Sequence, residues 1–392
     1  MENDVNFDPT SEQESIQDLA ERVCSRFDDG YWLDCDRKAL FPHDFYAAIA
    51  DAGLLGIAMP EAFGGSDLGI AAAATLMRTI AESGAGMAGA SSVHMNIFGL
   101  QPVVAFGTPE QQARMLPPLI RGEEKACFAV TEPDAGLNTT ELKVKAEREG
   151  DVYLISGQKI WISTAQVADR ALILARTTPL EQRVRKTDGL SLFYAKLDRS
   201  KADIRVIEKM GRHGVDSNTV FFDRMEVPAE DRIGEEGNGF KMILHGLNPE
   251  RILIAAEAVG IGRAALRRAS DYARERVVFG RPIGQNQGIQ HPLARCWMNL
   301  EAANLMVMKA AARFDGKLDS GVDANAAKYL AAEAAFSACE TAVQTLGGMG
   351  YAAEYHVERY MRECFIPRIA PVSPQMIMNF IAEKVLDLPK SY

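Results

Sequence analysis

The spacing of hydrophobic residues is helical at both ends of the chain and strand-like in the middle. In residues 11–27 apolar side chains recur every three or four positions, which predicts an amphipathic helix. The same period predicts helices over 44–52, over about 70–83 and from Thr108, where Pro109 suits the first helical position. The chain is therefore predicted to be helical up to about residue 120.

After Gly122 the period falls to two. Leu142, Val144 and Ala146 alternate with charged residues, as in a strand with one buried face. Further short runs of β-forming residues, separated by polar turns, cover 152–155, 171–174, 190–194 and 219–222. Because no long helix separates these runs, we expect an antiparallel, barrel-like sheet rather than a doubly wound one.

From about Gly237 the helical period returns in long segments rich in Ala, Leu and Met. The predicted helices cover roughly 250–275, 287–315, 322–345 and 374–386. Their length and low content of surface charge favour a helical bundle with buried faces, including faces between subunits. The predicted fold class is thus α+β, with an N-terminal all-α domain (1–125), a middle β domain (126–232) and a C-terminal all-α bundle (233–392).

Composition excludes several classes of protein. The 392-residue chain has a formal net charge of −10, which argues against a nucleic-acid partner, because such proteins normally carry a basic face. No stretch of about 18 apolar residues predicts a membrane span, and the polar start of the chain does not resemble a signal peptide. The six cysteines form no CxxC pair and the six histidines lack metal-ligand spacing. We therefore expect a cytoplasmic globular protein with reduced thiols and no metal site.

Four sequence motifs follow one another within this arrangement. They are 53–56 (GLLG) with 60–65 (PEAFGG), 129–136 (AVTEPDAG), 161–163 (WIS) and 344–351 (QTLGGMGY), the last continuing through Glu354, Arg359 and Glu363. In their order and separation they resemble the acyl-CoA dehydrogenase family over nearly the whole chain. Residues 129–136 resemble the first signature of that family, and residues 344–351 with their continuation through Glu363 resemble its second signature. The resemblance implies FAD as the cofactor and an acyl-CoA as the substrate.

The resemblance also implies which residues contact the flavin. An isoalloxazine ring needs an apolar wall and a few donors aimed at its heteroatoms. Trp161 is expected to pack against the ring and Ser163 to donate toward its N5 region, while the Thr131 hydroxyl reaches the pyrimidine edge. The full set implied here is Phe128, Val130, Thr131, Gly136, Leu137, Trp161, Ile162 and Ser163.

A second set of cofactor contacts is implied nearer the C-terminus. A diphosphate needs cations and backbone N–H groups. In the family, the residues that match Arg276 and Phe279 reach the FAD of a neighbouring subunit, so the resemblance implies a homo-oligomer, and we expect a tetramer. The full set implied here is Arg276, Phe279, Gln287, Gln344, Gly347, Gly348, Ser373 and Gln375.

Dehydrogenation of an acyl-CoA requires a carboxylate that removes the α-proton while a hydride leaves the β-carbon for the flavin. In many family members this glutamate follows the second signature, but the matching residue here is Pro371, which cannot act as a base. In the isovaleryl and long-chain branches the glutamate comes from a helix just after the β domain, and residues 247–251 (LNPER) resemble that segment. The resemblance therefore assigns the catalytic base to Glu250, and Arg251 matches a family arginine on the same helix.

The same residues also fit a simpler interpretation. Asn248 can cap a helix, Pro249 suits the first helical position, and the helix dipole favours an acid such as Glu250 in the first turn whether or not it is catalytic. His245, one turn earlier, has no family counterpart and is expected to be a packing or surface residue.

Two departures from the family pattern bear on the chemistry. Leu137 stands where the first signature normally has serine, so a side-chain hydrogen bond is lost while the backbone N–H remains. In the family, the N–H of the residue that matches Pro371 polarises the thioester carbonyl, and proline has no N–H. Three outcomes stay open: the Val372 N–H takes over, the loop runs differently, or the reaction is not simple dehydrogenation.

The leading interpretation is α,β-dehydrogenation of an acyl-CoA, with electrons passed to an electron-transfer flavoprotein. The alternatives keep the fold and the FAD: an oxidase, a nitroalkane oxidase, an acyl-CoA desulfinase, or a catalytically silent flavoprotein that acts as a binding partner. A desulfinase can dispense with a base, so Glu250 favours dehydrogenation.

The acyl group is not specified by the sequence. Met87, Met95 and Phe98 could limit the chain length or could belong to the core. The segment 84–98 has no Arg or Lys to pair with a distal carboxylate. This disfavours a dicarboxylyl-CoA such as glutaryl-CoA, unless the pairing group comes from elsewhere in the chain.

Overall fold

A computed structural model describes residues 9–391, and its elements follow the predicted order of helices, strands and helices. The helices before the sheet are α1 (Ser11–Cys24), α2 (Asp29–Lys38), α3 (His43–Asp51), α4 (Gly69–Ile80), α5 (Gly86–Phe98), α6 (Gln101–Phe106) and α7 (Pro109–Ile120). A π-helical turn, Ala81–Ala85, joins α4 to α5. Within the described range, no helix combines the length and hydropathy that a bilayer crossing requires.

The strands of the middle segment form one open sheet. They are β1 (Ala126–Ala129), β2 (Lys145–Glu149), β3 (Val152–Ser163), β4 (Arg170–Arg176), β5 (Leu190–Lys196), β6 (Ala202–Val206), β7 (Ser217–Pro228) and β8 (Arg232–Ile233). Their order is β6-β7-β3-β2-β4-β5-β8, with β1 beside β4.

The sheet departs from the prediction in strand direction and leaves the barrel-like detail unconfirmed. Most neighbouring strands are antiparallel, but β1 and β2 each run parallel to β4. The parallel pairing of β1 with β4 needs a long connection, and the segment that contains β2 and β3 provides it. Among the described strands the hydrogen-bonded path ends at β6 and β8, so a closed, barrel-like sheet is not confirmed.

The helices after the sheet are α8 (Gly239–Glu275), α9 (Gln287–Asp315), α10 (Gly321–Leu346), α11 (Val357–Glu363), α12 (Ile366–Ile369) and α13 (Pro374–Lys384). A short hairpin of β9 (Val277–Val278) and β10 (Arg281–Pro282) separates α8 from α9. Helix α8 packs against α4, α5, α9 and α10, so the helices of both ends of the chain share one hydrophobic core. The sheet has a core of its own on one face.

Local sequence accounts for the start of α7 but misplaces the start of α8. Thr108 caps α7 in a capping box with Gln111, with Pro109 at the first position, as predicted. Helix α8 was predicted from about residue 250, but it begins at Gly239. The extension is stabilised because Met242 and Ile243 are buried in the cluster between the sheet and the helices, which offsets the cost of an interior proline.

The early start of α8 decides between the two interpretations of Glu250. Asn248 and Pro249 lie inside the helix, and Asn248 accepts a hydrogen bond from Arg251 instead of capping a helix end. Glu250 is therefore not a first-turn acid, and the simpler interpretation is wrong. His245 is exposed and packs edge-on against Phe106, as expected for a surface residue.

Candidate active site

A buried ion pair fixes the first signature against the sheet. Lys159 on β3 is fully buried, and its Nζ donates to Glu132 Oε1 (2.9 Å) and to the Val130 carbonyl (2.8 Å). Glu132 also accepts the backbone N–H groups of Lys143 (2.6 Å) and Val144 (3.0 Å). Because each group of the pair has several partners, the loop after β1 is held rigidly at the end of β3.

The end of β3 presents Trp161 and Ser163 on the side opposite the core of the sheet. The pairing with β7 shifts register between Lys159 and Ile162, and Trp161 has a positive φ of 62°. The Trp161 side chain is 56% exposed, whereas Ile162 is buried in the core of the sheet. Of these predicted cofactor contacts, Ile162 can therefore offer only its backbone.

The remaining predicted contacts of the first set lie around this strand end. Phe128 and Val130 are half-buried at the edge of the helix–sheet core, and the Phe128 ring lies 5.9 Å from that of Phe98. The backbone carbonyl of Thr131 accepts a hydrogen bond from the Ile160 N–H at 2.9 Å, which ties this residue to β3. Gly136 and Leu137 are exposed.

Arg212, which the sequence analysis did not single out, joins β3 to α5. Its Nη2 donates to Ser163 Oγ (2.9 Å), and its Nη1 donates to Ser91 Oγ on α5 (3.1 Å). Since Ser163 Oγ acts as the acceptor, the serine keeps its own hydroxyl hydrogen for another partner. The turn that carries Arg212 has positive φ at this residue (57°) and is held by Lys209, whose Nζ donates to the carbonyls of Arg212 and Val215. In the sequence, the signal for this residue is a pair of basic residues flanked by two glycines (residues 211–214, GRHG).

The second signature positions α5. Glu363 is fully buried and accepts the N–H of Met87 (2.7 Å) and of Ala88 (3.3 Å), where a carboxylate complements the helix N-terminus. Arg359 donates to the carbonyls of Gly84 (2.6 Å) and Ala85 (3.3 Å). A Cβ at Gly86 would lie 2.5 Å from Glu363 Oε2, so glycine is required there. These contacts set the start of the helix that carries Ser91.

His94 on α5 faces two glutamates of α8. Its Nδ1 is hydrogen-bonded to Oε1 of Glu257, which is fully buried. Although burial acts in the opposite direction, the charge and hydrogen bond of Glu257 and the charge of Glu250 raise the pKa of His94 above its ordinary value. A lone acid and a lone histidine within apolar helical runs are the sequence signals for this pair.

Glu250 has the features of a base held away from water. Its Oε2 is out of contact with solvent and has no hydrogen-bond partner among the described residues. Burial raises the pKa of Glu250 to about 7, while the charges of His94 and Arg251 oppose the rise. A carboxylate with a pKa near neutrality can both accept and release a proton at physiological pH.

The loop around Pro371 is held by a buried lysine. Lys328 on α10 donates through Nζ to the Val372 carbonyl at 2.5 Å. Burial, together with the nearby charge of Arg251, lowers the pKa of Lys328 to about 8. The Val372 N–H has no acceptor among the described residues. Pro371 thus sits in an anchored loop whose next N–H is available.

The second predicted set of cofactor residues lies on exposed parts of the C-terminal helices. Arg276 and Phe279 are on the projecting hairpin after α8, and Phe279 is fully exposed. Gln287 begins α9, Gln344 lies in the last turn of α10, and Gly347 and Gly348 follow that helix; all four residues are exposed. Ser373 caps α13, and Gln375 is exposed in its first turn. No contact within the described chain joins these residues to Trp161.

Comparison with known proteins identifies the family. The chain matches the models of the acyl-CoA dehydrogenase N-terminal domain (residues 10–123), middle domain (127–225) and C-terminal domain (237–386). It is 36% identical to the acyl-CoA dehydrogenase FadE12 of Mycobacterium tuberculosis, with 99% of this chain and 100% of the relative covered. The chain belongs to the acyl-CoA dehydrogenase family.

Solved acyl-CoA dehydrogenases have the same fold. A glutaryl-CoA dehydrogenase in complex with glutaryl-CoA superposes with a TM-score of 0.93 at 30% identity, covering 98% of both chains. The butyryl-CoA dehydrogenase of Megasphaera elsdenii superposes with a TM-score of 0.89 at 29% identity, covering 97% of this chain and 99% of that one.

Acyl-CoA dehydrogenases are FAD flavoproteins, and this chain is accordingly an FAD-dependent oxidoreductase. Its residues fit the cofactor. Trp161 offers an exposed indole next to Ser163, whose hydroxyl hydrogen is free to donate. At the end of α10, nothing lies within 4 Å of where a Cβ of Gly347 or Gly348 would be, so the backbone there is open to close approach.

Proposed function

We propose that this protein dehydrogenates an acyl-CoA between its α and β carbons, with Glu250 as the base. The Glu250 carboxylate takes the α-proton, and the β-hydrogen leaves with its electron pair. Bound FAD supplies the acceptor for that hydride. The products are an enoyl-CoA, a protonated Glu250 and the reduced cofactor.

One observation carries this proposal: the state of the Glu250 carboxyl group. Its Oε2 is shielded from solvent without a hydrogen-bond partner, and its pKa is raised to about 7. A carboxylate that only stabilised the fold would be paired or hydrogen-bonded, because leaving a polar atom buried and unpaired costs free energy. An unpaired carboxylate with a neutral pKa suits proton transfer to and from carbon.

The Val372 N–H is the donor that we infer for the thioester carbonyl in place of the N–H that Pro371 lacks. It is free among the described residues, and the hydrogen bond from Lys328 to the Val372 carbonyl fixes the orientation of the loop. A donor held in advance of the reaction stabilises a developing enolate without reorganisation. This arrangement favours dehydrogenation over chemistry that needs no enolate.

The partners that we infer follow from family membership. An electron-transfer flavoprotein would reoxidise the cofactor, and a homo-oligomer would bring Arg276 and Phe279 of one subunit to the FAD of another. The complete exposure of Phe279 on a projecting hairpin supports such an assembly, because a single chain leaves this large apolar side chain uncovered.

The test is an anaerobic titration of the FAD-loaded protein with acyl-CoAs of graded length and branching. We expect flavin bleaching with at least one acyl-CoA, and its loss in Glu250→Gln with FAD still bound. Glu301→Gln, a half-exposed glutamate paired with Arg263, is the matched control and should bleach as the parent does. If no acyl-CoA bleaches the flavin, or if Glu250→Gln bleaches at the parental rate, the proposal is wrong.

A further inference from the structure

The guanidinium of Arg212 has no anionic partner. It donates only to hydroxyl groups: Ser91 Oγ (3.1 Å), Ser163 Oγ (2.9 Å) and Ser217 Oγ (3.3 Å). Its Nε is out of contact with solvent and has no hydrogen-bond partner in the described part of the chain. Among the residues 9–391 no carboxylate oxygen lies within 4.0 Å of it. A guanidinium stays charged in proteins, so this cation lacks the counter-ion that burial normally requires.

The carboxylates near Arg212 are engaged elsewhere. Glu257, Glu363 and Asp216 act on its charge only from beyond ion-pair distance. Glu257 is hydrogen-bonded to His94, Glu363 holds the start of α5 with Arg359, and Asp216 accepts from Gln166 and Asn218. None of them can turn to Arg212 without losing its present partner.

A second hydrogen-bond donor lies on the same side of the site. Ser91 and His94 are three residues apart on α5 and so share one face of the helix. His94 is held through Nδ1 by Glu257, and its Nε2 has no partner within the described chain. The centroid of its ring lies 4.6 Å from that of Phe98, and the Phe98 ring in turn packs against the ring of Phe128. Two donors thus flank an otherwise apolar, aromatic wall.

We propose that Arg212 and His94 bind a carboxylate on the acyl group of the substrate, so that this enzyme acts on a carboxylate-bearing acyl-CoA. The inference rests on the proposed function, since it takes the acyl-CoA as substrate. Arg212 lies between Ser163, on the strand end assigned to the flavin, and Ser91, in the segment expected to line the acyl pocket. A carboxylate there would accept hydrogen bonds and supply the missing negative charge.

The segment 84–98 contains no Arg or Lys, and Arg212 supplies a cation for it from elsewhere in the chain. The pairing cation comes from the turn between β6 and β7 and reaches that segment through Ser91. The neighbouring glutamates leave room for an anion: Glu257 is engaged in its hydrogen bond with His94, and Glu250 has a pKa of about 7 and is partly protonated at neutral pH.

The test measures binding of matched CoA thioesters to the FAD-loaded protein by calorimetry. Glutaryl-CoA is compared with pentanoyl-CoA, and adipoyl-CoA with hexanoyl-CoA, so that each pair differs only by the carboxylate. We expect the carboxylated member to bind at least about tenfold more tightly, which corresponds to about 1.4 kcal/mol. Arg212→Met should abolish that preference, and His94→Gln should reduce it.

Controls keep the result specific. Arg263→Met removes another arginine of comparable exposure, paired with Glu82 and Glu301, and should keep the preference. Arg212→Gln retains donors without charge and serves if Arg212→Met does not retain FAD; it too should lose the preference. Equal binding within both pairs by the parent protein, or a preference that survives in the Arg212 variants, overturns the proposal.

A different role of Arg212 would be visible in the same experiment. If its replacement weakens all four thioesters equally and shifts the reduction potential of the ligand-free flavin, the guanidinium serves the cofactor and the proposal is wrong. Failure of the proposed dehydrogenation is distinguishable. A carboxylate preference in binding without flavin bleaching would refute the proposed dehydrogenation but support the carboxylate subsite. Flavin bleaching without a carboxylate preference would support the dehydrogenation but refute the subsite.

Discussion

Glu250 and Glu257 lie two turns apart on α8 and differ in one respect: Glu257 is hydrogen-bonded to His94, whereas an oxygen of Glu250 has no partner. Residues seven apart share one face of a helix, so both carboxylates face α5. The hydrogen bond with His94 fixes the Glu257 carboxylate in place. It also holds His94 near Glu250, where the charge of His94 opposes the rise in the pKa of Glu250 that burial causes. The helix thus carries one carboxylate that is held by a hydrogen bond and one that we propose as the base.

The rate of flavin bleaching should depend on the protonation of Glu250. Only the carboxylate can accept the α-proton, and its pKa is about 7. The single-turnover rate constant should therefore be low at pH 5, rise through about pH 7 and level off above it. Stopped-flow bleaching with one saturating acyl-CoA, measured from pH 5 to 9, gives the midpoint. A flat profile would show that Glu250 is not the base.

Replacing His94 should move that midpoint. The positive charge of His94 lowers the pKa of Glu250, so His94→Asn should shift the bleaching profile to higher pH. His245→Asn is the matched control, because His245 is exposed and packs edge-on against the Phe106 ring, and its profile should coincide with that of the parent. An unchanged midpoint in His94→Asn would show that the two groups do not interact.

Glu250→Gln should stabilise the fold at alkaline pH. The folded-state pKa of about 7 lies above the ordinary value of 4.5, so the folded state binds the proton more tightly and stability falls as pH rises between these values. Glutamine removes this penalty. We expect an increase in the free energy of unfolding of at most about 3 kcal/mol above pH 7, which shrinks as pH falls toward 4.5. Urea unfolding of the FAD-free protein at pH 8 and pH 5 measures both values, and a gain that is equal at both would contradict the assignment.

The order of elements was predictable from the sequence because it depends on period alone. Helix and strand segments differ in the spacing of apolar residues, and the predicted order of helical, β and helical segments is confirmed. The direction of β1 was not predictable, because strand pairing is decided by contacts between distant segments. The start of α8 was misplaced because local cap signals at Asn248 and Pro249 were outweighed by tertiary packing.

The site was predictable where a motif carries it and not where folding assembles it. Trp161, Ser163 and Glu250 were identified through family motifs, and the structure places Trp161 and Glu250 in environments that suit their assigned roles. Arg212 and His94 come from a turn and a helix far apart in sequence, so nothing local connects them. Only the fold shows that both serve the same side of the site.

The Lys159–Glu132 pair should be essential for retaining FAD. Lys159→Met leaves the Glu132 carboxylate buried without its cation, which typically costs about 3–5 kcal/mol, and releases the first signature from β3. We expect a lower melting temperature and loss of FAD on gel filtration. Lys143→Met breaks the exposed Lys143–Asp134 pair in the same region and should cost less than about 1 kcal/mol with FAD retained. Equal effects of the two variants would mean that burial of the pair is unimportant.

Phe279 should be needed for assembly but not for folding of the single chain. It is fully exposed on the hairpin after α8 and contributes nothing to a described core. If the hairpin contacts a neighbouring subunit and its FAD, Phe279→Ser should weaken both association and FAD retention while leaving the helical circular dichroism unchanged. Light scattering and the ratio of flavin to protein absorbance measure the two effects. Val184→Ser, at an equally exposed apolar residue in a loop of the β domain, should change neither. A Phe279→Ser protein that keeps the parental mass and flavin content would place the subunit contact elsewhere.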